Sequence, residues 1–351
     1  MTNLSFQPYP LPTPNALAMY ITAGPDGNLW FTEYNGRNIG RITTAGVINE
    51  YPVPSPFYPY DITAGPDGNI WYTYDGGCFT VGRITPDGVI DEFPLSWPPQ
   101  PEPYCSPIML NKCHITAGPD GNLWVTDEHY DSIGRVTTSG SVTWYQTPTT
   151  CSGVQGITTG PDGNLWFTEG RANRIGQITT AGVITEFSGL VQAPNPLLTT
   201  WPHRITTGPD NNLWATEFEF FNIAQINPQN GVITEFTADP LQVVTTRDIT
   251  AGPDGNLWFT DALNGGIGII TPTGSVTWYP TPPGFRAYGI ATGSDGNLWV
   301  TDPPGSGDNT IWRISGITPH RVGYDPLWLA VTLIGLLVVG AYLLRRRMTA
   351  Q

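Results

Sequence analysis

The phrase Ile-Thr-Ala-Gly-Pro-Asp-Gly-Asn-Leu-Trp-Phe-Thr-Glu, at residues 21–33, recurs with small changes in seven copies, and this repeat constrains the fold most. Its tryptophans are Trp30, Trp71, Trp124, Trp166, Trp214, Trp258 and Trp299, at spacings of 41, 53, 42, 48, 44 and 41 residues. Each is followed two residues later by a threonine: Thr32, Thr73, Thr126, Thr168, Thr216, Thr260 and Thr301. A period of about 40 residues, built from short apolar runs between Gly and Pro turns, matches a four-stranded propeller blade. The fold class is therefore all-β, a seven-bladed β-propeller.

Within a unit four strands are expected: A at Ile21–Ala23, B at Leu29–Glu33, C at Ile39–Thr43 and D at Val47–Val53. Pro-Asp-Gly-Asn between A and B supplies the positive-φ residues of a tight hairpin, which is preferred here to a calcium loop. The last unit has A (Ile290–Thr292), B (Leu298–Asp302) and C (Ile311–Ile314) but no D. Residues 6–12, Phe-Gln-Pro-Tyr-Pro-Leu-Pro, resemble the strand-D text at 48–54, so the N-terminal strand should close the ring and leave no bare edge.

After this propeller, expected at 1–316, comes a linker at 317–326 and then an uncharged apolar run, Leu327–Leu344. Eighteen such residues are just long enough for a transmembrane helix. Trp328 and Tyr342 sit near its ends, and Arg345, Arg346 and Arg347 open a basic tail at 345–351. The positive-inside rule then predicts a single-pass protein with a cytoplasmic C-terminus and an extracytoplasmic propeller. No N-terminal signal peptide precedes the first strand, which leaves the export route open. Strand direction puts the exit to this tether on the face of the Asp-Gly hairpins, so the opposite face should look away from the membrane. Apart from the tail, 12 basic residues face 29 acidic ones, and a body so acidic is a poor partner for nucleic acid.

Propellers bind ligands where the entries to their inner strands converge. The two residues before each strand A are Met19-Tyr20, Tyr60-Asp61, Cys113-His114, Gln155-Gly156, His203-Arg204, Arg247-Asp248 and Tyr288-Gly289. They differ in every blade while the scaffold repeats, which frees them for another job. The candidate funnel is Tyr60, Asp61, His114, Gln155, His203, Arg204, Arg247, Asp248, Arg286 and Tyr288. A small polar molecule, a glycan or a protein segment is the expected partner. The D–A loops of this face also carry Pro-rich insertions, Ser96–Lys112 and Gly189–Thr200.

Cys78, Cys105, Cys113 and Cys151 all map to this face, an even number that reads as two disulfides with three possible pairings. A zinc site with His114 lacks the Cys-x-x-Cys spacing such sites use. The acidic residues that follow Trp-x-Thr (Glu33, Asp127, Glu169, Glu217, Asp261, Asp302) and the arginines after Ile-Gly or Val-Gly (Arg41, Arg83, Arg135) recur from blade to blade. They read as inter-strand or inter-blade bridges, not as acid–base pairs.

The repeated Ile-Thr-x-Gly-Pro-Asp-Gly-Asn-Leu-Trp-Phe-Thr-Glu, followed by Ile-Gly-Arg-Ile-Thr and Ile-Thr-Glu-Phe, resembles the streptogramin B (virginiamycin B) lyase family over residues 1–316. The resemblance implies a seven-bladed propeller and, in the family's true enzymes, a magnesium-dependent elimination that opens a cyclic depsipeptide. Histidines before strand A of the last two blades carry that chemistry, with nearby glutamates and a first-blade tyrosine. Here those positions read Ala287-Tyr288-Gly289-Ile290 and Thr246-Arg247-Asp248-Ile249, and Tyr20 is displaced by one. Pro202-His203 alone keeps the Pro-His form, which makes His203 the candidate base. The expectation is a membrane-anchored, non-enzymatic recognition module without a cofactor. The alternatives are a lyase, which would require magnesium, and a structural surface or particle protein.

Overall fold

The computed structural model describes residues 4–98, 112–190, 201–218, 222–237, 245–262, 264–302 and 309–318. The chain divides into two units, Met1–Thr318 and Pro319–Gln351. The second unit lies outside the described residues, and with it the expected membrane helix at 327–344, the basic tail and most of the linker. No helix among the described residues is long and apolar enough to cross a membrane. Most of both Pro-rich insertions likewise falls outside them.

Met1–Thr318 is a ring of seven four-stranded antiparallel sheets. Blade one consists of strand A (Ala18–Ala23), B (Leu29–Glu33), C (Asn38–Ile42) and D (Ile48–Pro52). Strands A of blades two to seven are Pro59–Ala64, Cys113–Ala117, Val154–Thr159, Pro202–Thr207, Thr246–Ala251 and Ile290–Thr292. In blade seven, B (Leu298–Asp302) and C (Thr310–Ser315) are followed by the N-terminal strand, Ser5–Pro10. It pairs antiparallel with strand C, Phe6 opposite Ile314 and Tyr9 opposite Ile311. The ring closes as the sequence predicts, at the same outer position.

The recurring residues explain the packing. Each strand-B Trp is buried, with its indole N–H donating to the hairpin Asp four residues earlier, as in Trp30 to Asp26 Oδ1 at 3.0 Å. The same Asp accepts from the Asn of Asp-Gly-Asn, Asn28 Nδ2 at 2.7 Å, so these carboxylates serve the hairpin. Each Trp also stacks on an aromatic of its own strand D, as in Trp30 on Tyr51 at 5.8 Å and Trp299 on Tyr9 at 5.6 Å. Stacked rings bury large apolar areas with a geometric preference worth about 0.5–1.5 kcal/mol beyond burial. Strand-D aromatics meet the next blade at a glycine. Gly88 adopts φ +91°, and a Cβ there would lie 2.3 Å from the Tyr51 ring, so no other residue fits.

Two of the bridging arginines, Arg41 and Arg83, lie over this aromatic layer. Arg41 covers Trp30 and donates to the Pro86 carbonyl of the next blade at 2.9 Å. Arg135 does the same to Thr180 O at 3.1 Å, and Arg83 pairs within its blade with Asp91 at 2.5 Å. None of the three meets a strand-B carboxylate. Those carboxylates are buried at the other end of their strands, and several of them tie down loops. Asp127 accepts from the His129 and Tyr130 amides, Asp302 from Arg286 N and Trp312 Nε1, and Glu33 from Asn38 Nδ2. The arginines bridge strands or blades as expected, and the carboxylates form a separate set that meets none of the three.

Candidate functional site

The variable residue pairs are held in place by two repeated devices. In blades one, two, four, five and six the A–B register shifts across the pair. In blade one, Ala18 pairs with Glu33 and Ile21 with Phe31, so Met19 and Tyr20 together oppose Thr32. Two residues against one is a β-bulge, which re-aims side chains. Here the bulge turns the variable pair toward the ring axis.

The second device is the strand-B threonine. Thr32 Oγ1 donates to Tyr60 O at 2.8 Å, Thr73 to Cys113 O at 2.6 Å and Thr126 to Gln155 O at 2.5 Å. Thr168 reaches His203 O at 2.8 Å, Thr216 reaches Arg247 O at 3.4 Å, Thr260 reaches Tyr288 O at 2.8 Å and Thr301 reaches Met19 O at 2.6 Å. Every blade thus grips the first variable residue of the next, and the chain of bonds closes on itself. Sequence reasoning recorded these threonines without assigning them a role. Their fixed spacing behind each Trp was the available signal.

At the centre, Arg204 of blade five crosses the funnel to blade two. Its Nη1 and Nη2 meet Asp61 Oδ2 and Oδ1 at 2.8 and 2.9 Å, a two-pronged pair, while Nε lies 3.3 Å from Asp248 Oδ1. Asp61 also accepts from the Ile62 and Ile115 amides, and Asp248 from those of Ile249 and Ile290. Burial alone would raise the Asp61 carboxyl, but Arg204 and its hydrogen bonds hold it well below the usual carboxylate range. Burial raises Asp248 somewhat, against the pull of Arg204 and two amides. The guanidinium stacks 4.0 Å above the Tyr20 ring.

The two funnel histidines, His114 and His203, are buried. His114 Nδ1 sits 3.0 Å from Asp61 Oδ2 and 2.7 Å from Arg204 Nη1. Burial and the Arg204 charge push its pKa down to about 4, so its contact with Asp61 is a hydrogen-bonding one and not an ion pair near neutral pH. His203 Nδ1 faces the Arg247 carbonyl at 3.2 Å. A carbonyl only accepts, so Nδ1 carries the proton and Nε2 a lone pair. Burial and Arg247 hold His203 well below the ordinary histidine pKa. The two rings meet edge to face at 5.8 Å.

Aromatic groups line the opposite arc. Tyr20 contacts Tyr60, Tyr288 and His114 with ring centroids 5.2, 5.5 and 5.8 Å apart. Burial raises the pKa of both Tyr20 and Tyr60, which stay neutral phenols. Arg247 donates to Tyr288 Oη and lies over the Tyr288 and Phe218 rings at 4.3 and 5.4 Å. The structure thus brings nine of the ten expected funnel residues to one level. Gln155 is buried there, whereas Arg286 is exposed and held through its backbone amide on Asp302. The candidate set omitted Tyr20 and Lys112, although Tyr20 stood in a variable pair and Lys112 immediately precedes one.

One disulfide is defined: Cys78 in the B–C loop of blade two bonds to Cys113 at the start of blade three, Cα atoms 5.5 Å apart. Cys151 is also in a disulfide, and Cys105 lies outside the described residues. Cys113 is therefore unavailable to the Cys/His zinc site considered with His114. Among the described residues no group of three or more metal-ligating side chains occurs.

Known proteins with this architecture include both distant and nearer relatives of this chain. Distant propellers, such as the WD40 propeller domain of Doa1 (13% identity, TM-score 0.66, 89% of this chain and 97% of that one), share the fold. Virginiamycin B lyase from Staphylococcus aureus is 31% identical over 89% of this chain and 99% of its own, with a TM-score of 0.76. A catalytically inactive histidine-to-alanine variant of that enzyme, solved with quinupristin, aligns equally well, and a streptogramin B lyase structure is 30% identical over 89% of this chain and 98% of its own, with a TM-score of 0.75. No curated protein matches. The family model described as "Virginiamycin B lyase family" matches residues 1–197 and 191–318. This chain belongs to the virginiamycin B lyase family.

Proposed function

We propose that this member of the family is a non-catalytic recognition module, anchored in a membrane through Leu327–Leu344, whose funnel binds a small polar ligand. The observation that carries this reading is the Arg204 clamp. Asp61 and Asp248, the two carboxylates of the variable pairs, are both engaged by one guanidinium and by backbone amides. A magnesium ion would have to displace Arg204 to reach them, so the donors present do not fit that metal. The positions that carry histidines in the family's enzymes hold Arg247 and Tyr288, which bond to each other. A cationic side chain near its aromatic partner positions and binds; it does not abstract protons.

A thermal-shift screen of small polar molecules against the wild type, His203→Ala and Arg247→Ala tests this. A compound that stabilises only the wild type places the ligand in the funnel. Equal stabilisation of all three would move recognition to the loops.

One observation favours a second reading, a carbon–oxygen lyase. The Arg247 carbonyl fixes the His203 tautomer and leaves Nε2 with a lone pair, the arrangement a general base needs. Its deep burial and the cations around it argue against proton uptake there.

A further inference from the structure

The funnel wall is divided. Blades seven, one and two supply phenol rings, whereas blades three to six supply polar atoms left without partners. His114 Nε2, Gln155 Oε1, His203 Nε2 and Arg247 Nε are buried and have no hydrogen-bond partner among the described residues. Buried polar groups are satisfied in more than nine cases of ten, roughly, and one such atom in each of four consecutive blades calls for a cause.

The charges at this wall do not balance either. Arg204 is matched by Asp61 and Asp248, and Arg171 by Glu128 at 3.2 Å. Among the described residues Arg247 meets no carboxylate: its side chain contacts the Tyr288 hydroxyl and two ring faces. Lys112, held in the chain beside the Cys78–Cys113 disulfide, forms no direct ion pair among the described residues. Burial first, and then the Arg247 charge, drives its ammonium below the usual lysine range, against the pull of Glu128 and Asp75. A guanidinium that meets no carboxylate, beside a second cation only partly offset by Glu128 and Asp75, is costly without a counter-charge.

We infer that the funnel takes a ligand carrying an anionic group, a carboxylate or a phosphate ester, seated between Arg247 and Lys112 with its apolar part against Tyr288 and Phe218. This rests on the recognition reading and names its ligand class. Arg247 offers the anion its unengaged N–H donors in a planar fork, and Lys112 adds a point charge. The flanking rings favour a flat apolar body over a fully hydroxylated one.

Binding of benzoate, phenyl phosphate and benzamide to the full chain in detergent, by calorimetry at low ionic strength, tests the inference. An anion should bind about 10-fold or more tightly than benzamide, weaken as salt rises, and lose about 10-fold or more in Arg247→Gln. Arg247→Lys should retain part of the affinity, and melting curves of both variants report folding. Preference between benzoate and phenyl phosphate identifies the anion. Equal affinity for benzamide, or indifference to Arg247→Gln, would overturn the anionic subsite while funnel recognition stands. Silence of all three probes would also overturn it, and the polar-molecule screen then judges recognition independently.

Discussion

Arg204 in blade five reaches across the propeller axis and holds both carboxylate oxygens of Asp61 in blade two, at 2.8 and 2.9 Å. A single residue thereby links blades that are not neighbours in the ring and closes its centre. Removing one partner of a buried pair leaves the other uncompensated, which costs about 3–5 kcal/mol. Arg204→Met should therefore destabilise by roughly that amount in urea unfolding, and Asp61→Asn in the same chain should restore part of it. A loss below about 1 kcal/mol would show the pair to be solvated.

Buried carboxylates give the propeller a pH dependence. Burial pushes Glu33 and Glu169 up to about 8, aided by Glu50 and Glu186 respectively. A folded pKa above the unfolded value of about 4.5 means that the native state binds more protons between those values. Stability from these groups is complete below about pH 4.5 and is lost as pH rises through about 8. Melting temperature should fall between pH 5 and 8.5, and Glu33→Gln with Glu169→Gln should flatten the slope by several degrees, roughly. An unchanged slope would show that both are ionised in the fold.

The threonine ring predicts unequal effects from one conservative change. Thr126→Val leaves the Gln155 carbonyl and the His114 amide without their partner. Loss of such buried bonds costs about 1–3 kcal/mol. Thr216→Val likewise frees the Arg204 amide, but its bond to the Arg247 carbonyl is the longer one at 3.4 Å, so it should cost less. Denaturant midpoints compare the two directly.

Linking residues 35 apart, the Cys78–Cys113 bond should contribute about 3–4 kcal/mol by restricting the unfolded chain. Reduction or Cys78→Ser should lower the melting temperature, and it should also loosen Lys112 and weaken binding of an anionic probe. Unchanged binding in the folded variant would separate the disulfide from the site.

The architecture was legible from the sequence because each blade repeats the same solution to the same packing problem. Trp30 and its six counterparts, the Asp-Gly hairpins and the N-terminal closing strand all emerged from period and pattern, within a residue or a few of their observed bounds. Strand A was read too short because the bulge before Ile21 interrupts its alternation. The site was legible as a set of positions but not as a network. That Arg204 would join Asp61 depends on which blades face each other across the axis, and 143 residues separate the pair. The pairing of the two acidic positions with one arginine carries no local signal, and neither does the choice of Cys113 as the partner of Cys78.

The central claim is that the funnel recognises and does not catalyse. Ring opening of a type B streptogramin with magnesium, followed by mass spectrometry on the purified full chain, tests it most directly. The account predicts no linearised product above the uncatalysed background, with wild type and His203→Ala indistinguishable. Linear product that disappears in His203→Ala would contradict it and show that the family's elimination proceeds here from a rearranged site.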